Sequence, residues 1–389
     1  MKVRFFIIWL LLVFNLHINA SEIPIMAFHG VQSKYTSENS YRTLKDAGFN
    51  INFTTFYTND EAAEALDCAQ VAGVKILLFS LELISDPEKT VKRFKNHPAL
   101  FGYYISDEPS LLEFNNVAEK IKTIKKFDQK HPCYINLFPN YATEDQLKSS
   151  TYTNYLHQFS ETVPFDFISF DNYPLQNNII DNKWYSNLED IRKLSLQSNK
   201  KFWGFANSTV FRNYRQPTEA GLKLQQYSNL FYGAKGLQYF TYWTLDDENW
   251  KKNNFKHSIV SSEGKPTITY NLVKKINQEI QSFADFFIEC YVTGVFHTDN
   301  AFGTRKLSQK FKYFNNFETD KPALVSFFVK GNKKFIGVLN KDINSSLKLN
   351  LKPTTDINIS NSSKKPIKVS KSKQYSVNIA PGDIIIINY

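Results

Sequence analysis

The chain of 389 residues has few cysteines, and after its first residues it has no long apolar run. Cys68, Cys133 and Cys290 lie far apart and lack the paired spacing of a zinc site or of a dense disulfide framework. One disulfide stays open as an alternative, but Cys68 and Cys133 fall in a predicted helix and a predicted strand, which favours buried thiols. Beyond the amino terminus no stretch reaches the roughly 20 apolar residues that cross a bilayer.

Acidic residues are also in short supply. The chain has 47 Lys and Arg against 37 Asp and Glu, a formal net charge of +10. The basic residues are scattered rather than clustered, which favours a solvated surface over a site for polyanions. We therefore expect no nucleic acid partner. A polyanion-binding protein is a third hypothesis, and it requires a binding affinity that falls steeply when salt is added.

The first 20 residues have the pattern of a secretory signal. A basic start, Met1 to Arg4, precedes the apolar run from Phe5 to Phe14, and a small residue, Ala20, stands before Ser21. The run is short for a membrane anchor, which is the alternative interpretation. We expect cleavage after Ala20, a secreted or periplasmic protein, and no membrane attachment after cleavage.

From residue 21 to residue 289, apolar runs of strand length alternate with amphipathic segments eight times. Asp86-Pro87-Glu88 predicts a helix start, and Gly48 and Gly73 predict helix ends. Eight strand–helix repeats over about 250 residues are typical of a (β/α)8 TIM barrel in the α/β class. A doubly wound open sheet is the alternative, but it requires a glycine-rich loop after the first strand, which residues 28–31 do not form. The predicted strands are Ile25–Phe28, Ile51–Phe56, Val74–Phe79, Leu100–Ile105, Cys133–Leu137, Phe165–Phe170, Lys201–Phe205 and Leu237–Trp243.

Residues 290–389 have a different pattern of short strands separated by turn residues such as Pro381-Gly382. This pattern predicts a carboxy-terminal antiparallel β-sandwich domain. We expect it to pack against the barrel, and carbohydrate binding is the alternative role. Its predicted strands are Tyr291–His297, Ala323–Val329, Phe335–Leu339, Leu347–Leu351, Tyr375–Ile379 and Ile384–Tyr389.

A barrel brings the carboxyl ends of its strands to one rim, where such folds hold their active sites. The fourth predicted strand leads into Asp107 and Glu108, the sixth into Asp171, and the eighth toward Asp246. Paired carboxylates with amide and aromatic neighbours suit glycosidic cleavage, which needs a protonated carboxyl and a second carboxylate. The expected substrate-binding residues are Asp107, His29, Tyr104, Asn136, Tyr173, Asn207 and Trp243.

Each of these residues has a structural alternative. Glu108 also fits a helix cap, Asp171 a turn satisfied by its own backbone, and Trp243 the barrel core. Asp246 also fits a solvated loop. A metallohydrolase would place several histidines at the strand ends, and a phosphate site would place glycine-rich loops there, so no metal and no cofactor is implied.

The segment Gly102-Tyr-Tyr-Ile-Ser-Asp-Glu-Pro109 resembles the end of the fourth strand in the large retaining clan of (β/α)8 glycoside hydrolases. Residues 263–270, followed by a helix and a sandwich, are similar to secreted bacterial glycosidases. The resemblance implies that Glu108 is the acid/base. Two departures stand out: Asp107 occupies the place of the clan's asparagine, and residues 202–208 lack the nucleophile glutamate of the seventh strand.

The sequence therefore predicts a secreted hydrolase that cleaves O-glycosidic bonds of a poly- or oligosaccharide. Glu108 is the expected general acid, and Asp171 or Asp246 is the expected base or nucleophile. The alternative is a non-catalytic glycan-binding protein on a degenerate glycosidase barrel, which the missing seventh-strand acid favours.

Overall fold

A computed structural model describes residues 22–176, 179–181, 183–308, 312–361 and 364–389. The predicted signal segment, residues 1–20, lies outside these residues. Cys68, Cys133 and Cys290 are free thiols; Cys133 and Cys290 are buried and Cys68 is half-buried. None of the described helices has both the length and the apolar composition needed to cross a membrane.

Eight parallel strands close into a barrel, which confirms the predicted fold class. The pairing runs β1-β8-β7-β6-β5-β4-β3-β2 and returns to β1. The strands are β1 Ile25–Phe28, β2 Ile51–Phe53, β3 Lys75–Leu78, β4 Leu100–Asp107, β5 Cys133–Leu137, β6 Ile168–Phe170, β7 Phe202–Asn207 and β8 Gly236–Phe240.

Side chains alternate along each barrel strand between the interior and the helix layer. In β1, Met26 and Phe28 join an inner aromatic cluster, whereas Ile25 and Ala27 pack outward under the helices. Both faces are therefore apolar, and this explains why the strands appear in the sequence as continuous apolar runs.

The helices around the barrel begin and end at recognisable signals. Asp86 accepts a bond from the Lys89 amide ahead of the helix Pro87–Phe94, and Gly73 closes its helix with a left-handed φ of 68°. Thr218 caps the helix Glu219–Tyr232 in the same manner. The α-helices are Glu38–Asp46, Asn59–Ala72, Leu81–Ser85, Pro87–Phe94, Phe114–Lys125, Glu144–Leu147, Tyr152–Thr162, Trp184–Ser198, Glu219–Tyr232, Glu248–Lys252, Ile268–Ser282 and Ala284–Glu289.

Two antiparallel sheets form the carboxy-terminal sandwich, as predicted. The larger sheet has the order Tyr291–His297, Ala323–Lys330, Lys333–Asn340, Ile384–Asn388, Ile357–Asn361 and Lys364–Val369. The smaller sheet has the order Phe314–Thr319, Leu347–Pro353 and Tyr375–Ile379. The strands at 314–319, 357–361 and 364–369 escaped the sequence analysis, because they are rich in polar residues.

The larger sheet uses its two faces differently. One face, with Val325 and Ile385, packs on the smaller sheet and forms the sandwich core. The opposite face, with Phe328 and Ile386, joins the core of the barrel through Phe231 on the helix Glu219–Tyr232. The sandwich is thus attached to the barrel by a shared apolar core.

Candidate active site

A bulge in β4 sets the direction of its two terminal acids. The pairing of β4 with β5 steps from Tyr104 opposite Tyr134 to Asp107 opposite Asn136, with a register shift between Tyr104 and Ser106. The extra residue, Ile105, packs outward. Because a bulge reverses the alternation that follows it, Asp107 faces the interior beside Asn136.

Glu108 continues from this strand in an unusual conformation. Its φ of 46° lies in the left-handed region, which few residues other than glycine adopt. Its amide still bonds to the Asn136 carbonyl at 2.8 Å. In an extended strand two successive side chains point to opposite faces, but the left-handed turn brings both acids to one cavity. Such local strain is found where the surrounding structure fixes a functional residue.

Asn136 connects the acids of neighbouring strands. Its Nδ2 group donates to Asp171 Oδ1 at 2.8 Å and to Asp107 Oδ1 at 3.1 Å, while its Oδ1 atom accepts from Ser169 Oγ at 2.9 Å. Gln238 Nε2 in turn donates to Ser169 Oγ at 2.8 Å. This buried network fixes the orientation of the Asn136 amide, so that both of its N–H groups point at carboxylates.

The carboxyl groups of Glu108 and Asp171 are neighbours in the cavity described below. Burial raises the pKa of Glu108, and the neighbouring charges of Asp171 and Asp107 raise it further. Burial also raises the pKa of Asp171, but hydrogen bonds from Asn136 and Tyr173 oppose the rise. Since these donors favour the ionised form of Asp171, the shared proton belongs on Glu108.

Asp107 is the third acid of the group. It is exposed to the cavity, and the protein around it raises the pKa of its carboxyl through partial desolvation, against the Asn136 hydrogen bond. Its charge adds to the field that keeps Glu108 protonated. The different surroundings of the three carboxyls thus make Glu108 the proton donor and Asp107 and Asp171 the acceptors.

These residues line a cavity of about 520 Å³ at the carboxyl end of the barrel. This is within the usual range of small-ligand sites, roughly 300–1,000 Å³. Asp107, Glu108 and Asp171 are the acids among its lining residues. The remaining lining residues are Phe28, Asn136, Tyr141, Gln146, Tyr173, Gln176, Phe205, Phe211, Arg212, Asn213, Tyr214, Phe240, Trp250 and Asn253.

The structure therefore brings together five of the residues singled out in the sequence: Asp107, Glu108, Asn136, Asp171 and Tyr173. The cavity lining does not include His29, Tyr104, Asn207, Trp243 or Asp246. Their predicted roles in binding or catalysis stay predictions, and their surroundings differ from one another.

His29 and Tyr104 lie among aromatic rings. His29 contacts Phe28 and Trp250, and burial lowers the pKa of its imidazole to about 4, with Asp247 opposing the shift. Tyr104 stacks on Phe53 with ring centroids 4.3 Å apart, in the barrel interior. These contacts make both residues part of the cavity's supporting wall.

Asn207 is the last residue of β7, and Trp243 and Asp246 follow β8. The Asn207 amide is buried and donates to the Thr209 carbonyl at 3.0 Å. Trp243 is buried, bonds to the Ser262 carbonyl at 3.2 Å and stacks on Tyr35. Asp246 is exposed in the loop before the helix Glu248–Lys252.

The sequence analysis missed the side chains that the loops after β7 and β8 contribute, among them Phe211, Arg212, Tyr214 and Trp250. Aromatic residues in long loops after barrel strands were the available signal. The described residues hold no group of three or more His, Cys, Asp or Glu side chains that could bind a metal ion.

With its acids on the carboxyl rim of a closed (β/α)8 barrel and a sandwich attached, the chain has the architecture of several glycoside hydrolases. It is similar to a family 39 glycoside hydrolase from the gut symbiont Bacteroides cellulosilyticus WH2, with a TM-score of 0.55 and 11% identity over 95% of this chain and 81% of that one.

The chain is also similar to a β-galactosidase from the psychrophilic Marinomonas ef1, with a TM-score of 0.52 and 10% identity over 68% of this chain. The match spans 61% of that enzyme's length. At these identities the likeness shows a shared fold. No protein-family model and no curated protein sequence matches the chain.

Proposed function

We propose that this protein is a glycoside hydrolase in which Glu108 protonates the leaving glycosidic oxygen and Asp171 is the second carboxylate. The observation that carries the proposal is that the carboxyls of Glu108 and Asp171 are neighbours in one cavity on the carboxyl rim, where each affects the pKa of the pair. A protonated carboxyl beside an ionised one is the pair that glycosidic cleavage requires. The fold shared with two glycoside hydrolases is consistent with it.

The position of Asp171 supports it over Asp246 as the second carboxylate. Asp171 lines the cavity beside Glu108, whereas Asp246 is exposed outside the lining. Phe205 and Asn207 on β7 supply no carboxylate. Within this cavity, Asp171 is therefore the acid best placed to work with Glu108.

Two routes use this pair. In one, Asp171 takes a proton from a water molecule whose oxygen bonds to the anomeric carbon as the glycosidic C–O bond breaks. In the other, Asp171 itself bonds to that carbon, and water later displaces it. In both routes the Glu108 proton goes to the leaving oxygen.

The two routes need different separations of the carboxyls. Inverting enzymes hold their carboxyls roughly 6.5–9.5 Å apart and retaining ones roughly 5–5.5 Å apart. The anomeric form of the first product, followed by NMR, distinguishes the routes.

The decisive experiment measures reducing sugar released from a panel of plant, algal and host polysaccharides. We expect Glu108→Gln to lower turnover on a cleaved glycan by about 10²–10⁴-fold and to leave binding intact. Glu113→Gln is the matched control, because Glu113 is exposed, bonds to Ser110 and lies outside the cavity lining. Equal turnover in the two variants would refute the role of Glu108.

The second candidate is a glycan-binding protein on the same barrel, which the absence of a carboxylate on β7 favours. The same panel of polysaccharides distinguishes the glycan-binding protein from the hydrolase. Binding without release of sugar from any polysaccharide would favour this candidate.

We also propose that the first 20 residues direct secretion and that the barrel domain ends at residue 289. Sequencing the amino terminus of the exported protein tests the proposal on secretion.

A further inference from the structure

A basic surface lies beside the cavity that holds the three acids. Arg212, Asn213 and Tyr214 line the cavity and also line a shallow depression of about 420 Å³ next to it. Arg215, Lys256 and His257 border the same depression. We call these four side chains, Arg212, Arg215, Lys256 and His257, the basic rim.

The basic rim carries charge that the protein does not neutralise. Among the described residues, no carboxylate makes an ion pair with Arg212, Arg215 or Lys256, although the chain forms such pairs elsewhere, for example between Arg93 and Asp60 at 2.7 Å. The depression has no Asp or Glu among its lining residues. Unpaired guanidinium groups on a concave surface suit carboxylate or sulfate ligands, which they can bind with two parallel N–H bonds.

The two loops that carry the basic rim are bonded to each other. Val210 and Lys256 exchange two backbone hydrogen bonds of 3.0 Å each, and the Arg212 amide donates to the Asn253 carbonyl at 2.8 Å. Arg212 Nε also donates to Asn253 Oδ1 at 3.2 Å. The backbone at Arg212 is therefore held in place, with a left-handed φ of 47°.

A continuous series of contacts joins the rim to the acids. Tyr173 lines the cavity with Asp171 and packs edge-on against Tyr214, whose ring stacks on Phe211 with centroids 4.5 Å apart. Arg212 lies close enough to Tyr214 to lower the pKa of its hydroxyl, against burial and other neighbours that raise it. The basic rim is thus separated from Asp171 by two aromatic rings, Tyr173 and Tyr214, which both line the cavity.

We propose that the basic rim is a subsite for a negatively charged sugar unit, bearing a carboxylate or a sulfate, in the glycan that Glu108 cleaves. Within the cavity Asp107 and Asp171 repel an anionic group, and Arg212 attracts it. The charge pattern therefore fixes which way the glycan lies. The placement of the cleaved bond rests on the proposed function, but binding at the rim does not.

Binding rather than turnover tests this inference. The probes are oligomers of polygalacturonate and of alginate, which carry carboxylates, and oligomers of a sulfated galactan. Each has a neutral counterpart of equal length, made by carboxyl reduction or by desulfation. Titration calorimetry of the full mature chain with each pair measures the preference for charge, and the two kinds of probe distinguish carboxylate from sulfate.

The variants separate a defined subsite from net charge. Arg212→Gln with Arg215→Gln removes two charges from the rim, and Lys200→Gln with Lys201→Gln removes two exposed charges at the opposite end of β7. A second rim variant, Arg215→Gln with Lys256→Gln, keeps the Arg212–Asn253 bond in case its loss disturbs the loops.

We expect one class of charged probe to bind about tenfold more tightly than its neutral counterpart. Both rim variants should lose that preference, and the Lys200/Lys201 variant should keep it. Equal binding of charged and neutral probes, no binding of any charged probe, or equal losses in rim and control variants would overturn the inference. Release of neutral sugars with no charge preference would overturn the charged-sugar subsite and leave the proposed hydrolase function standing. Binding that depends on the basic rim, without release of sugar, would support the subsite and contradict the hydrolase function.

Discussion

Glu108 combines three features that are uncommon for a surface acid: a left-handed backbone, partial burial and a second carboxyl beside it. The last two stabilise its protonated form in the folded protein. The protein therefore keeps a proton at this position that an unfolded chain releases near pH 4.5, the ordinary pKa of a glutamate. This difference links the active site to the stability of the whole chain.

At the residue scale we predict that Glu108→Gln stabilises the protein and that the gain grows with pH. Above pH 4.5 the folded state binds more protons at Glu108 than the unfolded state, so the free energy of unfolding falls as pH rises toward the raised pKa. Glutamine is neutral at every pH and can still donate a hydrogen bond to Asp171. The variant therefore does not lose stability at this position as pH rises. Thermal unfolding of variant and parent from pH 4 to pH 8 measures the effect.

The control for this experiment is Glu113→Gln. Bonds from Ser110 lower the pKa of Glu113, so its carboxylate stabilises the folded state above its ordinary pKa and the contribution is lost as pH falls. The variant should therefore lose stability at neutral pH rather than gain it. If Glu108→Gln and the parent unfold with the same pH dependence, the shared proton is not present.

At the scale of single elements, the loops after β7 and β8 form the most specific part of the cavity. Thr209 Oγ1 donates to the Lys256 carbonyl at 3.0 Å and accepts from Ser258 Oγ at 2.8 Å, and all three groups lie at the base of the loop pair. These hydrogen bonds join the two long loops to each other rather than to the barrel. The position of Arg212 depends on them.

We predict that Thr209→Val lowers the free energy of unfolding by about 1–3 kcal/mol, because the buried Thr209 hydroxyl loses its hydrogen bonds to the Lys256 carbonyl and from the Ser258 hydroxyl. Amide hydrogen exchange at Val210 and Arg212 should accelerate by a larger factor than elsewhere. Thr123→Val is the control, since Thr123 makes a comparable bond to a backbone carbonyl on an exposed helix surface. Uniform acceleration in both variants would contradict a local role for Thr209.

The sequence predicts these elements to different degrees, for physical reasons. β1 and β5 have the predicted bounds, because strands buried on both faces leave continuous apolar runs. Asp107, Glu108 and Asp171 were found because strand ends in a barrel meet at one rim. The loops at 208–217 and 244–257 have no periodicity, so the directions of Arg212 and Trp250 could not be derived.

Trp243 shows a second limit of sequence reasoning. It was expected to face a sugar because it ends the eighth apolar run, but β8 ends at Phe240 and the chain then turns. Beyond a strand's end the alternation of side chains no longer applies. In the structure Trp243 is buried and stacks on Tyr35, as in the core alternative given for it, while Phe240 lines the cavity; a binding role for Trp243 stays a prediction.

At the scale of the whole molecule, Lys223 joins the two domains electrostatically. It lies on the helix Glu219–Tyr232 with a side chain 6% exposed, and it contacts Glu279 of the last long barrel helix at 2.6 Å and Asp383 of the sandwich at 3.3 Å. Glu219 is a third partner at 3.2 Å. One buried cation thus compensates acids from both domains.

We predict that Lys223→Met lowers the free energy of unfolding by about 3–5 kcal/mol, because it leaves Glu279 and Asp383, whose side chains are only 19% and 20% exposed, without their cation. Lys275→Met is the matched control: Lys275 also pairs with Glu219, at 2.8 Å, but its side chain is 56% exposed. Exposed pairs contribute about 0–1 kcal/mol. Denaturant unfolding of both variants provides the comparison, and equal losses would show that Lys223 does not couple the domains.

The surplus residue Ile105 has a consequence for any enzyme engineered or evolved from this scaffold. If β4 paired with β5 without the bulge, strict alternation would place Ser106 opposite Asn136, where Asp107 now stands. The negative field around the proton donor would weaken without any substitution. Changes in strand register, as well as changes in residue identity, are therefore a means of tuning the acidity of this site.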